Sequence, residues 1–451
     1  MGMAGDDQVH IGLLGLGVIG SGVARALLDK GEAYAQQMGL HLSIRRILER
    51  DLWKAESVPV DPALLTADPR AVLDDEAVDI VIEVLGGERP AYDFIKEALQ
   101  SGRYVVTANK EVMAKHGPEL LALAHEQGVD ILFEASVGSG TPIIAPLRRD
   151  LVANEITSIR AIINGTTNYI LTRMSKEGLD FQEALGQAQA LGYAEADPTN
   201  DVEGIDTAYK LAILASLAFR THVRPDDIYC EGITSLSARD FRYARELGYA
   251  IKLLAVARRD EDGIEARVHP AFVPEDELLA NVDGVLNAVQ VEGDLLGRVL
   301  FQGPGAGPLP TSSAIVANVI DAAQAVVAAR AGHWGDRLPL RPSDRLRAQG
   351  RLWWPGRPLP IKPVADLNAR YYLRMEVADR PGVLAQIARC FGEHGVSIAS
   401  VIQKETDEVA QTAELVVMTH VAREEAVQNT MKEVADLAVV SRIGNFLRVE
   451  G

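Results

Sequence analysis

Cysteine is nearly absent from this sequence. The 451 residues hold only Cys230 and Cys390, far apart and outside any CxxC or Cys/His spacing. That count signals neither a disulfide framework nor a thiolate zinc site, and both thiols are expected to be buried and inert. Basic charge is also short, with 45 Lys and Arg against 63 Asp and Glu, a net charge of −18 at pH 7. A field of that sign repels phosphate backbones and anionic bilayers, so neither nucleic acid nor membrane is expected as a partner. No uninterrupted apolar run approaches the ~20 residues of a bilayer span. The N-terminus, residues 1–10, lacks a basic stretch leading into an apolar one, so the expected location is cytoplasmic. Low-complexity tracts and short tandem repeats are missing as well.

What remains is globular composition, 47% hydrophobic and 24% charged, too apolar for bulk disorder and too long for one core. About three domains are expected. Over residues 9–133, short apolar runs at 9–14, 42–48, 80–84, 104–107 and 130–133 alternate with helical patterns, the rhythm of a doubly wound α/β sheet. Residues 136–331 read as an α+β domain, with strand-like runs at 156–163 and 265–272, an apolar helix after Lys210 and a final helix at 311–331 packing back on the first domain. Residues 332–369 carry Pro339, Pro342, Pro355, Pro358, Pro360 and Pro363 and read as a linker. Residues 370–451 then give βαββαβ, from strands at 371–377, 396–403, 412–419 and 439–443 and helices at 382–394 and 423–434, a ferredoxin-like module.

Gly15-Leu16-Gly17-Val18-Ile19-Gly20 lies between the first apolar run and the first helical stretch. In that setting the glycines allow a tight turn, close backbone approach to a pyrophosphate and close helix–strand packing. Residues 1–135 are therefore expected to bind a dinucleotide. Cofactor choice falls at the end of the second strand, which reads Leu48-Glu49-Arg50-Asp51. Arg50 favours NADP and the flanking acids favour NAD; the balance tips modestly to NADP. A solvated surface arginine is the plain alternative.

Three further stretches could carry chemistry. Lys110 follows an apolar strand at the sheet edge where open α/β sheets bind ligands, although lysines flank many strands without function. Asp206 and Lys210 stand at i and i+4, on one helix face, behind the acids Glu195, Asp197, Asp201 and Glu203. Hydride transfer to an aldehyde leaves an alkoxide that needs a proton, which a lysine partly withdrawn from water can give. Glu195 and Asp206 could hold a substrate ammonium group; an exposed helix salt bridge is the alternative. Finally, residues 133–142, Phe-Glu-Ala-Ser-Val-Gly-Ser-Gly-Thr-Pro, could offer one carboxylate and several carbonyls to a hard cation, or simply turn.

In this order the motifs closely resemble the homoserine dehydrogenase family. The likeness spans roughly residues 9–330 and is carried by the run from Ala188 through Gly192-Tyr193, Asp197-Pro198 and Asp201-Val202-Glu203-Gly204 to Asp206 and Lys210. Thr107–Glu111, Glu134–Gly138, Asn164–Tyr169 and Gly303–Gly307 also match. The resemblance implies a Rossmann-type nucleotide domain, a catalytic and dimerisation domain, and reversible NAD(P)-dependent reduction of L-aspartate 4-semialdehyde to L-homoserine, feeding threonine, isoleucine and methionine synthesis. Lys210 would exchange the proton, Lys110 would assist at substrate and nicotinamide, and Glu195 and Asp206 would bind the amino-acid end. Gly15, Gly17, Val18, Ile19, Gly20, Arg50, Lys110, Gly192, Gly305 and Gly307 would touch cofactor. A monovalent cation such as sodium would sit on Glu134 and the carbonyls of Val137, Ser139 and Thr141. Val18 departs from the threonine frequent in the family, removing a hydroxyl from the phosphate site. A homodimer or homotetramer is implied. No aspartokinase-like region precedes Val9, so a bifunctional kinase–dehydrogenase is not expected.

The last module resembles an ACT domain through Val377-Ala378-Asp379-Arg380-Pro381-Gly382-Val383-Leu384 and Gly395-Val396-Ser397-Ile398. That implies an amino-acid effector, with threonine feedback expected at Asp379, Gly382, Val383, Leu384 and Ser397; a module that only dimerises is the alternative. Two other readings of the whole chain stay open: a different amino-aldehyde dehydrogenase, and a nucleotide- and amino-acid-binding sensor without catalysis.

Overall fold

The computed structural model describes residues 8–51, 58, 60–330, 359–407 and 411–451. Six parallel strands form the first sheet: β1 (Gln8–Leu14), β2 (His41–Leu48), β3 (Leu65–Thr66), β4 (Ile80–Glu83), β5 (Tyr104–Thr107) and β6 (Ile131–Leu132). Their order is β3-β2-β1-β4-β5-β6. The chain runs outward from β1 to β3 and then returns to β1's other side, which puts the switch point between β1 and β4, where open sheets bind ligands. Ile80-Val-Ile-Glu83 and Tyr104-Val-Val-Thr107 are buried throughout, because helices cover both faces of a parallel sheet. The helices concerned include α1 (Val18–Met38), α2 (Arg70–Leu73), α3 (Ala91–Gln100) and α4 (Lys110–Glu126).

The second layer carries α5 (Gly165–Glu177), α6 (Phe181–Ala190), α7 (Thr199–Val202), α8 (Ile205–Phe219) and α9 (Ala238–Glu246) on a mixed sheet. Its strands are β7 (Ile156–Ile162), β8 (Tyr229–Cys230), β9 (Tyr249–Arg259), β10 (Ile264–Pro274), β11 (Leu286–Gly293) and β12 (Gly297–Pro304). Apolar α8 is buried between this sheet and α4, so the start of α4 and the start of α8 face each other across the domain junction. Helix α10 (Pro308–Arg330) begins three residues before the expected 311, since prolines are tolerated in a first turn. It packs on α1 as expected; a side chain at Gly22 of α1 would collide with Ser312. By length and composition α10 could cross a bilayer, yet Ile315, Val319 and Ala323 are fully buried in the core.

Residues 332–358 of the expected linker lie outside the described residues. Its end is ordered against the second domain, where Ile361 bridges Ile264 of β10. The C-terminal module then follows the expected βαββαβ order: β13 (Asn368–Ala378), α11 (Val383–Glu393), β14 (Ile398–Asp407), β15 (Thr412–Thr419), α12 (Glu424–Ala435) and the last strand, with a two-residue strand β16 (Ala422–Arg423) before α12. That last strand, β17 (Val440–Val449), runs six residues past the expected 443. Arg374 lies where a Cβ on Gly444 would be, 2.7 Å from its guanidinium, and the strand continues beneath it. The extension pairs Arg448 and Val449 in parallel with Ala271 and Phe272 of β10, fusing the two sheets into one of eleven strands.

Buried ion pairs line this seam. Arg267 meets Glu450 at 2.5 Å, Arg374 meets Asp240 at 2.8 Å, and Arg448 joins Glu424 at 2.6 Å to Glu231 at 3.0 Å. Burial would raise the Glu450 carboxyl, but Arg267 and its neighbours hold it well below the usual range. One expectation is corrected nearby. Cys390 is buried but Cys230 is exposed, because β8 is a two-residue edge pairing only β10; its thiol donates to the Glu203 carbonyl at 3.2 Å.

Candidate active site

The glycine turn sits at the switch point between β1 and α1. Gly15 has φ +106°, a conformation that favours glycine, and its N–H donates to Leu48 O at 3.0 Å. A Cβ on Gly20 would collide with Gly15 O, whereas one on Gly17 would meet nothing within 4 Å. Gly17 caps α1 with no side-chain hydrogen bond, leaving first-turn amides and the dipole of a 21-residue helix to an anion. Val18 is 70% exposed beside them, and Ile19 packs partly on the core. At the end of β2 the buried Glu49 carboxylate accepts the N–H groups of Leu16 and Asp51, each at 3.1 Å. Arg50 is exposed alongside. The acid that sequence reading weighed only as a flank of Arg50 is thus the one tied to the turn.

Across the domain junction, Asp206 collects the cations. It is 3% exposed. Its Oδ2 lies 2.8 Å from Lys210 Nζ, and its Oδ1 is in direct ion-pair contact with Lys110 Nζ. Burial would raise this carboxyl, but Lys210 and Lys110 hold it well below the usual range. Lys210 Nζ also donates to Ile163 O at 2.8 Å, at the end of β7. Lys110 begins α4, which Asn109 caps by accepting the Val112 N–H at 3.1 Å. Burial would lower Lys110; the charges of Asp206, Asp201 and Glu195 leave it raised instead. Glu195 is exposed on the loop after Gly192, which has φ +74°. Its charge reaches Lys110, but it makes no side-chain contact with Asp206 or Lys210. The loop is pinned where Thr166 Oγ1 donates to Tyr193 O at 2.7 Å.

Sequence reading missed two groups here. Asp201, quoted only within the acidic run, lies beside Asp206, and burial pushes its carboxyl up. Asn164, inside a matched motif but given no role, donates to both carboxylates. No spacing rule brings residue 164 to 206; the end of a strand does so.

Glu134, Ser139 and Thr141 are buried on the loop after β6. The Glu134 carboxylate accepts three backbone amides, Ile143 at 2.6 Å, Ile144 at 2.9 Å and Ala145 at 2.7 Å, and has no ion pair among the described residues. Thr141 Oγ1 is buried without a partner, and Ser139 has φ +47°. A buried carboxylate with no cation among the described residues, and an orphaned oxygen on the same loop, fit a small cation held largely by backbone. The loop touches the Gly305/Gly307 turn through Gly140 N–H to Pro304 O at 3.1 Å and Thr311 Oγ1 to Ser139 Oγ at 3.1 Å. Gly307 has φ +116°.

The chain is similar to known proteins along its length. Residues 15–134 match the model for the homoserine dehydrogenase NAD-binding domain, 142–320 that for homoserine dehydrogenase, and 371–439 that for the ACT domain. A homoserine dehydrogenase of Neisseria gonorrhoeae is 42% identical over 442 residues, covering 98% of both chains. The chain belongs to the homoserine dehydrogenase family. Members are NAD(P)-dependent oxidoreductases acting on CH–OH groups, and that is the class of this enzyme. The crystal structure of a homoserine dehydrogenase from Thiobacillus denitrificans superposes with a TM-score of 0.89 at 42% identity over 98% of each chain. A hyperthermophilic archaeal homoserine dehydrogenase in complex with NADPH gives 0.61 at 29% identity, covering 70% of this chain and 98% of that one.

In the ACT domain of this family member, the first segment singled out in sequence reaches β14. Gln403 Nε2 donates to Asp379 Oδ1 at 3.2 Å, joining the end of β13 to β14. Gly382, at φ +89°, caps α11 with no side-chain bond, Val383 is buried and Leu384 is 44% exposed. Ser397 O accepts the His420 N–H at 2.9 Å.

Proposed function

We propose that this enzyme reversibly reduces L-aspartate 4-semialdehyde to L-homoserine. The observation that carries the reading is the closure of Lys110 and Lys210, from two domains, on the single carboxylate of Asp206. When bound, the nicotinamide cofactor supplies or accepts the hydride. As the carbonyl becomes an alkoxide, Lys210 Nζ gives it a proton; in oxidation the neutral amine takes the hydroxyl proton back. Lys110 stabilises the developing oxyanion and orients the nicotinamide end, while Asp206 keeps both ammonium groups aimed. Glu195 and Asp206 bind the substrate ammonium group.

The cofactor lies on Gly15, Gly17, Val18, Ile19 and Gly20 and reaches Lys110, Gly192, Gly305 and Gly307. Arg50 tips the preference modestly to NADP, with NAD accepted on Glu49. A sodium-like cation held by Glu134 and the carbonyls of Val137, Ser139 and Thr141 braces the loop against the Gly305 turn, a structural role. Threonine acts through Asp379, Gly382, Val383, Leu384 and Ser397 on a cytoplasmic homo-oligomer that supplies threonine, isoleucine and methionine synthesis. Oxidation of homoserine, followed at the nicotinamide absorbance band, tests the reaction. Wild type is active and Lys210→Ala is crippled; an inert wild type, or a variant that matches it, overturns the assignment.

A further inference from the structure

Asn164 is 4% exposed and stands one residue after the carbonyl that receives Lys210. Its amide nitrogen donates one hydrogen to Asp201 Oδ1 at 2.7 Å and the other to Asp206 Oδ2 at 2.9 Å. Its amide oxygen accepts the Thr167 N–H at 2.8 Å and the Thr167 hydroxyl at 3.0 Å, capping α5. This occupies both donors and the acceptor. The orientation is fixed, because a flipped amide would point oxygen at two carboxylates and NH2 at two donors. Two like charges held this close repel, and among the described residues the neutral group that donates to both is this amide. The end of β7 is therefore a template: Ile163 O holds Lys210 while Asn164 holds the acids beside it.

We propose that Asn164 is a positioning residue, which clamps Asp201 and Asp206 so that Asp206 keeps Lys210 on the reacting oxygen and Asp201 joins Glu195 and Asp206 at the substrate ammonium group. The proposal rests on the roles given above to Asp206 and Lys210. It adds a specificity element for amino-acid substrates, since Asp201 without its donor would swing out or take a proton rather than receive an ammonium ion.

The test separates the clamp from the cap. Asn164→Ser keeps an oxygen at the start of α5, and serine caps about as well as asparagine, so the contribution of the cap to the melting temperature is kept. A hydroxyl with one hydrogen cannot bridge two carboxylates. Loss of hydrogen bonds to charged groups then lowers kcat/KM for homoserine about 10- to 100-fold, with KM for the cofactor unchanged. The acid limb of the pH profile moves to higher pH, because the carboxyls lose the donor that favoured ionisation. Asn164→Asp keeps shape and cap but adds a third carboxylate; it is weakest above neutrality and recovers only in part on acidification, when the new group's single hydrogen can reach one of the two carboxylates. Wild-type kcat/KM and an unmoved acid limb in Asn164→Ser, or full activity of Asn164→Asp at alkaline pH, overturn the clamp. If Lys210→Ala stays active, the proposed reaction chemistry fails instead.

Discussion

Lys110 and Lys210 reach the same carboxylate from different domains, one from the start of α4 and the other from the second turn of α8. The site is therefore built across the junction, and neither domain holds it alone. Removing either lysine should have different effects. Lys210→Ala lowers kcat in both directions by about 10²–10⁴, the usual worth of a positioned acid–base group, with NADP binding intact by fluorescence titration. Lys110→Ala lowers kcat and also raises KM for homoserine. Identical losses in the two variants would contradict the division of roles.

Cofactor preference gives a second test. Glu49 is bound to the Leu16 and Asp51 amides, and Arg50 is exposed next to it. Arg50→Ala should raise KM for NADP several-fold, on the order of 1 kcal/mol for an exposed charge contact, and leave KM for NAD unchanged. Glu49→Gln should do the reverse. Equal effects of Arg50→Ala on the two cofactors would show that the arginine is only a surface residue.

The seam provides a stability test. Arg448 is 1% exposed and pairs with buried Glu424. Arg448→Met leaves that carboxylate without its cation, and breaking a buried pair from one side costs about 3–5 kcal/mol. Arg448→Met combined with Glu424→Gln should recover much of the loss in thermal or urea unfolding. A single variant as stable as wild type would mean that water replaces the pair.

Much of this architecture was legible from the sequence. Patterns of apolar runs placed β1, β2, β4 and β5, and the glycines announced the turn at β1. The seam was not legible: the strand read from the sequence stops at 443, and the packing of Arg374 on Gly444 shows why β17 continues to β10. The i,i+4 rule brought Asp206 to Lys210. It could not bring Lys110 or Asn164, which are neighbours only because α8 packs on α4 and β7 ends beneath it.

Effector control is best tested without deleting the ACT domain. Truncation before residue 370 would strip β17 from β10 and leave Arg267 without Glu450, so lost activity would say nothing about feedback. Asp379→Ala in the full chain removes the carboxylate that Gln403 reaches. Threonine should inhibit wild type, and the inhibition curve of the variant should shift by at least about tenfold, the ~1.4 kcal/mol expected of a hydrogen bond to a charged group. Inhibition that is absent in wild type, or unchanged in the variant, rejects this placement of the effector.

Acid stability follows from the same buried pairs. Asp206, Asp240, Glu424 and Glu450 are each raised by burial, yet their cationic partners and hydrogen bonds leave all four lowered. A carboxyl lowered in the folded state stabilises fully above its unfolded pKa, near about 4, and loses that contribution as pH falls through the folded value. Glu83, Asp201 and Asp321 are raised by burial and oppose the trend, since for them burial outweighs the nearby donors and cations. Melting temperature should therefore fall gently from pH 7 to about pH 5, as the unfolded chain protonates His222 and His269, which burial keeps neutral in the fold, and steeply below about pH 4. Arg448→Met should flatten the acid slope, because Glu424 then no longer titrates low. A melting temperature that climbs as pH drops from 5 to 3 would mean that the raised carboxyls dominate the fold.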